Sequence, residues 1–312
     1  MTSPLRQRGP YSCQVLSLLH TVICVFKAPS RRDWTMRVKV ISVLEDNYMY
    51  LVIDEKTKDA IAVDASVSKR LLEIIKKEGV TLKAILTTHH HLDHCRGNEE
   101  LARHYPDLQV FGADKRIGAL TNKVTHNEEL KFGDINVRCL FTPCHTATHM
   151  CYFIWEDNCP DAPAVFSGDT LFIGGCGRFF EGTADQMYKN LMQILATLPK
   201  ETKVFCGHEC TVTNLKFALK VEPDNEAVKE KLTWAKARDD EDLPTVPSTL
   251  EDEFDYNPFM RITEESVQKF TGQTDPVEVM AALRTMKDNF KKPKETLPAP
   301  VRLALEWGLF RP

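Results

Sequence analysis

A surplus of positive charge is missing from this chain: forty basic residues face forty-four acidic ones, a net charge of -4. No global field therefore draws in nucleic acid or an anionic membrane, and neither is an expected partner. Long apolar runs are scarce, and the stretch from Cys13 to Phe26 is too short to span a bilayer. The ten cysteines lack the regular spacing of a small disulfide scaffold and sit in apolar runs and beside candidate ligands, which reads as reduced thiols in an intracellular protein. No strict internal repeat is visible. What is present, 312 residues with 43% hydrophobic and 27% charged content, is enough for a large core in a soluble globular protein of two domains, or of one domain with a substantial extension.

Residues 1–36 stand apart. They hold Arg6, Arg8, Lys27, Arg31 and Arg32 against a single acid, Asp33. Such a basic, acid-poor, serine-containing segment reads either as a targeting leader or as an unstructured extension from an alternative start, since Met36 opens a well-patterned region. The cytoplasm is the expected location, with the mitochondrion the alternative if the extension is a transit peptide.

From Arg37 the chain alternates short β-rich runs (Val38 to Val43, Tyr48 to Ile53, Ala60 to Val63) with a helix whose apolar face is Val67, Leu71, Ile74 and Ile75 and whose stop is Gly79. Further strands are expected at Leu82 to Leu86, Gln109 to Phe111, Ile135 to Leu140, Met150 to Trp155 and Lys203 to Cys206, with helices around Glu99 to His104 and Asp185 to Leu198. Buried strands flanked by helices predict an α/β (α+β) protein of αββα layering with a site at one sheet edge. After His208 charged helical patterns run from Asn214 to Arg238 and from Glu264 to Phe290, separated by an irregular proline-containing connection from Pro244 to Pro258. The expected division is a catalytic domain over 37–208 and a mostly helical, substrate-binding domain over 209–312 with a loose tail.

Three of the strands share a design. Ala84-Ile85-Leu86-Thr87-Thr88 runs into His89, Ala164 to Gly168 into Asp169, and Val204 to Gly207 into His208. The first opens the densest feature of the chain, His89-His90-His91-Leu92-Asp93-His94. Side chains leaving a strand end can converge on one point, and histidine with aspartate, without paired cysteines, suits a catalytic first-row divalent metal rather than a closed structural site. His89 and His91 serve one metal, completed by His145. Asp93 and His94 turn toward a second, completed by His208. Asp169 is the natural bridge, because one carboxylate can give an oxygen to each ion and offset their repulsion. His90 points away, and His149 is a supporting residue rather than a ligand. A zinc knuckle of Cys206 and Cys210 around His208 is the competing reading of that segment.

The order His-x-His-x-Asp-His, then distant His, Asp and His, resembles the metallo-β-lactamase superfamily. More narrowly, Asp46 to Tyr50, Gly174 to Phe179, Glu181 to Asp185 and Tyr256 to Arg261 resemble the glyoxalase II (hydroxyacylglutathione hydrolase) family over roughly Met36 to Phe290. The resemblance implies a metallo-β-lactamase αββα sandwich with a helical C-terminal domain and a centre of two divalent metal ions, zinc or mixed zinc and iron. It also implies hydrolysis of S-(2-hydroxyacyl)glutathione thioesters such as S-lactoylglutathione. Attack would come from a hydroxide between two metals about 3.5 to 4 Å apart, oriented by Asp93 as the catalytic residue. The leaving thiolate, of pKa about 8.5, needs no strong general acid.

Glutathione would be held by Arg178, Phe179 and Phe180, by His208 and Cys210, and by Arg284 and Lys287, which share a face of the last helix and would clamp a carboxylate. The family's tyrosines are replaced here by Phe180 and Cys210, a loss of two hydroxyl contacts at about 0.5 to 1.5 kcal/mol each. Threonine also stands where the family favours glycine, so a glycine-specific angle would strain Thr148 and shift His145. A monomer acting on a small molecule is expected. Two other readings stay open: an iron-dependent sulfur dioxygenase acting on glutathione persulfide, and a catalytically weakened metal-binding homologue.

Overall fold

The computed structural model describes residues 36–157 and 159–290. The expectations for the N-terminal extension and for the tail beyond 290 lie outside the described residues. One six-stranded sheet runs in the order β1 (Met36–Val43), β2 (Asn47–Asp54), β3 (Asp59–Val63), β4 (Thr81–Leu86), β5 (Gln109–Gly112), β6 (Asn122–Lys123). Its first pairs are antiparallel, and from β3 onward it is parallel. The chain then lays down β7 (Glu129–Phe132), β8 (Ile135–Phe141), β9 (Met150–Glu156) and β10 (Ala164–Gly168), a short hairpin β11 (Leu171–Phe172) and β12 (Gly175–Cys176), and finally β13 (Lys203–Cys206) and β14 (Ser248–Thr249). All of these except the hairpin form the second six-stranded sheet, in the order β14-β13-β10-β9-β8-β7.

Strand β2 shows why the sheets stack as they do. Tyr48, Tyr50 and Val52 join the apolar cluster shared with β8, β9, β10 and β13 of the second sheet. Met49, Leu51 and Ile53, one residue out of phase, join a separate cluster with Leu71, Ile74 and Ile75 of α1 (Ser68–Glu78) and Leu101. The two-residue period of a strand thus serves both faces of a sheet covered on each side. Helix α1 stops where expected: Gly79 takes φ 65°, and its N–H closes on Ile75 and Lys76. A one-turn helix α2 (Leu92–Cys95) and α3 (Asn98–His104) follow β4.

The later helices are more broken than the charge patterns predict. The segment expected as one helix over 185–198 is α4 (Ala184–Tyr188), a π turn (Lys189–Ile194) and a 3-10 turn (Leu195–Thr197). The 214–238 pattern divides into α5 (Thr211–Val221) and α6 (Glu226–Asp240) around Pro223, and the 264–290 pattern into α8 (Glu265–Thr271) and α9 (Pro276–Asp288) around Gly272 at φ 69°. The connection from Pro244 to Pro258 is not irregular throughout. It contributes β14 to the second sheet and forms α7 (Leu250–Tyr256), nucleated by a capping box in which Thr249 and Asp252 satisfy each other's backbone N–H groups. Side chains of α5, α6, α8 and α9, such as Phe217, Val228, Val267 and Leu283, continue the inter-sheet apolar cluster.

Candidate metal centre

The ligands gather where the two sheets are stitched together. Tyr48 N–H donates to Gly207 O at 2.9 Å, Met150 N–H to Thr88 O at 2.8 Å and Glu209 N–H to Asp46 O at 2.6 Å. Beyond β4 the chain bends at Thr88 and His90, and His89 and His91 meet at the centre while His90 turns away toward Asp114. The single turn of α2 then swings Asp93 and His94 round to the same point. The second sheet supplies His145 from the β8–β9 turn, Asp169 from the end of β10 and His208 from the end of β13.

The structure brings the seven residues expected as ligands together, as two donor sets of three with Asp169 between them. His89 Nε2 lies 3.0 Å and His145 Nε2 3.2 Å from His91 Nδ1. In the other set, His94 Nε2 is 3.2 Å from His208 Nε2, and each is 3.4 Å from Asp93 Oδ2. Asp169 lies between the sets, with Oδ2 3.3 Å from both His145 Nε2 and His208 Nε2 and Oδ1 3.4 Å from His94 Nε2. Each group of ligand atoms, His89/His91/His145 and Asp93/His94/His208, falls within 4.8 Å.

These residues fit divalent cations. Four imidazoles have their outer nitrogen engaged: His94 Nδ1 by Asp64 at 2.9 Å, His208 Nδ1 by Asp46 at 3.0 Å, His145 Nδ1 by Arg178 O at 3.1 Å and His89 Nδ1 by Thr88 Oγ1 at 3.0 Å. The outer nitrogens therefore carry the N–H, and the inner ones aim lone pairs at one another, which requires a cation or a proton between them. Nitrogens about 2.0 to 2.1 Å from one tetrahedral ion would stand ~3.4 Å apart, close to the separations observed. Asp169 Oδ1 is buried without a hydrogen-bond partner, an acceptor that needs positive charge. A Cβ on Gly207 would collide with that oxygen, so the end of β13 must be glycine.

The electrostatics of the sets differ. Burial drives His89 well below the ordinary histidine range, with His94 adding repulsion, and burial likewise lowers His145 and His91. Burial also opposes charge on His94 and His208, yet it is outweighed by Asp169 together with Asp64 in the first case and Asp46 in the second, so both are raised. Asp169 is held well below the usual carboxylate range despite its burial, by His208, His94 and His145.

Asp64 and Asp46 are the functional residues that sequence reasoning missed. Asp64, at φ 55° just past β3, accepts from Thr88 N–H at 2.7 Å, from Thr88 Oγ1–H at 2.8 Å and from His94 Nδ1–H. One carboxylate thereby steadies a ligand of each set, His94 directly and His89 through the threonine. The left-handed backbone has no sequence signature at an aspartate, although aspartate is among the residues that tolerate it. His90 turns to Asp114 at 3.4 Å. His149 holds the bridge from behind, its Nε2 accepting Asp169 N–H at 3.1 Å. The zinc knuckle does not form, because Cys206 Sγ–H donates to His208 O and Cys210 Sγ accepts from Asn214. Burial pushes the Cys210 thiol up to about 12. All eight described cysteines are free.

On the substrate side, a cleft of about 520 Å³ is lined by Arg178, Phe179, Phe180, Arg284 and Asp288 among others. Phe180 is 59% exposed, with its ring 5.1 Å from that of His145. Arg178 is exposed, 3.6 Å from Asp288. Arg284 and Lys287 do not present the shared clamp that their spacing suggested. Arg284 is buried, with Nη1 donating to Cys176 O at 2.9 Å and Nη2 to Asp288 at 2.8 Å, whereas Lys287 Nζ reaches Thr213 O at 3.1 Å. The strain expected at Thr148 is also absent: its φ is not positive, and its hydroxyl donates to Asp114.

The family model described as the metallo-beta-lactamase superfamily matches residues 45–208, and the one described as the hydroxyacylglutathione hydrolase C-terminus matches 209–290. The chain belongs to the hydroxyacylglutathione hydrolase family. It is 73% identical to the hydroxyacylglutathione hydrolase-like protein of Gallus gallus over 89% of this chain and 98% of that one. To the protein of Arabidopsis thaliana named cytoplasmic hydroxyacylglutathione hydrolase it is 45% identical, over 82% and 100%. The crystal structure of ETHE1 from Myxococcus xanthus superposes with a TM-score of 0.58 at 23% identity, covering 88% of this chain and 100% of that one, which is a likeness of fold. A metallo-beta-lactamase fold with clustered His and Asp donors makes this a protein that binds divalent metal. No helix among the described residues is long and apolar enough to cross a membrane.

Proposed function

We propose that the chain is a two-metal thioester hydrolase that cleaves S-(2-hydroxyacyl)glutathione, such as S-lactoylglutathione, to the hydroxy acid and free glutathione. Its family makes it a hydrolase acting on thioester bonds. The observation that carries the two-metal reading is Asp169, which faces both donor sets at 3.3 to 3.4 Å. His89, His91 and His145 on one side and Asp93, His94 and His208 on the other, with Asp169 between, would hold zinc, or zinc with iron, which would supply a water of near-neutral pKa and polarisation of a carbonyl.

The rest falls to the chain's own side chains. Asp93, the proposed catalytic residue, accepts Asn47 Nδ2–H at 2.9 Å on Oδ2, the oxygen that faces His94 and His208 at the centre. His89, His145 and His91 are kept neutral by burial, leaving lone pairs available at neutral pH. Arg178, exposed at the cleft, supplies a positive charge for a glutathione carboxylate, and Phe180 gives an apolar edge against which the thioester can lie. The departing thiolate, of pKa about 8.5, needs no strong proton donor. The name of the Arabidopsis relative supports a cytoplasmic location, and a monomer suffices because the site draws every ligand from one chain.

Metal analysis and S-lactoylglutathione turnover on one purified sample test this reading. Two metal ions per chain with turnover are expected. Metal-replete protein with no thioesterase activity overturns it, and a single iron with oxygen consumption on glutathione persulfide moves the assignment to a sulfur dioxygenase.

A further inference from the structure

His145 is the one member of the first donor set that comes from the second sheet, so the 3.2 Å between it and His91 depends on how firmly its turn is held against the first sheet. A run of charges bridges that gap. Asp114, buried just past β5, accepts from Thr148 Oγ1–H and from Arg116 Nη2 at 2.7 Å and Nε at 3.0 Å. The other side of the same guanidinium is bidentate to Glu181, Nη1 to Oε1 at 2.9 Å and Nη2 to Oε2 at 3.0 Å. Glu181 in turn takes Ala147 N–H at 2.7 Å on its side chain and gives its own N–H to Cys144 O at 3.2 Å. Residues 144, 147 and 148 of the His145 turn are therefore all gripped. Glu181 also belongs to the segment whose Arg178 O orients the His145 ring.

We propose that Asp114, Arg116 and Glu181 are positioning residues for His145, clamping the Cys144–Thr148 turn to the first sheet and setting the affinity of the first donor set for its ion. The proposal rests on the two-metal reading. An exposed ion pair is ordinarily worth little, but this arginine is bidentate to Glu181 and anchored on a buried carboxylate, which fixes geometry as well as charge. Its effect is local, because the second set draws on Asp46, Asp64 and Asn47 and on none of these groups.

The experiment is competitive chelation of the full-length protein loaded with cobalt or zinc, reading the two dissociation constants separately, with Asp46→Asn as the reference that weakens the second ion. Glu181→Ala and Arg116→Met are each expected to weaken the first ion by about ten- to a hundredfold and the second by less than about threefold. Thr148→Val, a nearly isosteric change that tests the clamp without endangering the fold, is expected to act in the same direction, and Thr148→Ser to bind as the wild type does. If wild-type protein holds two ions and the variants lose neither, or lose both in parallel, the clamp is wrong while the two-metal reading stands. Wild-type protein holding fewer than two ions overturns the two-metal reading and the clamp with it.

Discussion

The two donor sets face each other across Asp169, yet they are built on opposite principles. In the first, His89 and His145 rest their outer nitrogens on uncharged acceptors, a threonine hydroxyl and a backbone carbonyl, and burial keeps the rings neutral. In the second, both histidines are backed by carboxylates, Asp64 and Asp46, and Asp93 adds a further one, so this side holds positive charge even without metal. A carboxylate behind an imidazole raises its basicity and fixes its ring. The second set is thus the electrostatically stronger cage and the first the more geometric one.

The sharpest break of that comparison is Asp169→Ala, which removes the residue common to both. Thioester turnover is expected to fall by about a thousandfold or more, with metal content per chain dropping at both sets; a variant keeping two ions and full turnover would place the bridge elsewhere. Next is Asp64→Asn, which weakens support for His94 directly and for His89 through Thr88. Both ions are expected to bind about ten- to a hundredfold more weakly, whereas Asp46→Asn should weaken only one, a contrast readable by chelator titration.

A smaller effect concerns protons. The inner nitrogens of His94 and His208 are 3.2 Å apart and face lone pair to lone pair unless one is protonated, and the surrounding carboxylates favour that proton. Because these folded pKa values lie above the unfolded value of about 6.5, the stabilisation of metal-free protein is complete below that pH and is lost as the pH rises through the folded values. The melting temperature of metal-free protein should accordingly decline above about pH 6.5, where metal-loaded protein holds steady, and loading near neutral pH should release protons measurable calorimetrically in buffers of different ionisation heat. The smallest change expected is from His90→Gln. Its ring faces Asp114 rather than the centre, and a shift within about 0.5 kcal/mol in stability with both ions retained is the outcome to check by thermal denaturation and metal analysis.

Most of the strand framework was legible because its cause is local. Runs such as Ala84 to Leu86 and Val204 to Cys206 are buried at every residue and read as apolar whatever surrounds them. The ligands were legible because three strands end in small residues and then a donor. What supports the ligands was not, since Asp64 meets Thr88 and His94 across 24 and 30 residues of chain and spacing carries no trace of that meeting. Helix α7 is a different kind of miss. Its Thr249–Asp252 capping box was readable, but the neighbouring prolines drew the segment toward an irregular reading. Arg284 shows the limit of helix-face arguments: three residues from Lys287, it turns inward, where Nη1 donates to the carbonyls of Cys176 and Gly177, contacts distant in sequence that helical spacing cannot register.

The backbone stitches from Tyr48 to Gly207 and from Met150 to Thr88 join the sheets beside the ligands. Cations bound there would act as rivets through a seam, so that any breathing motion parting the two halves must also tear coordination bonds. Amide exchange along β4 and β13 should then slow together when metal is added, making the ions as much fasteners of the molecule as reagents within it.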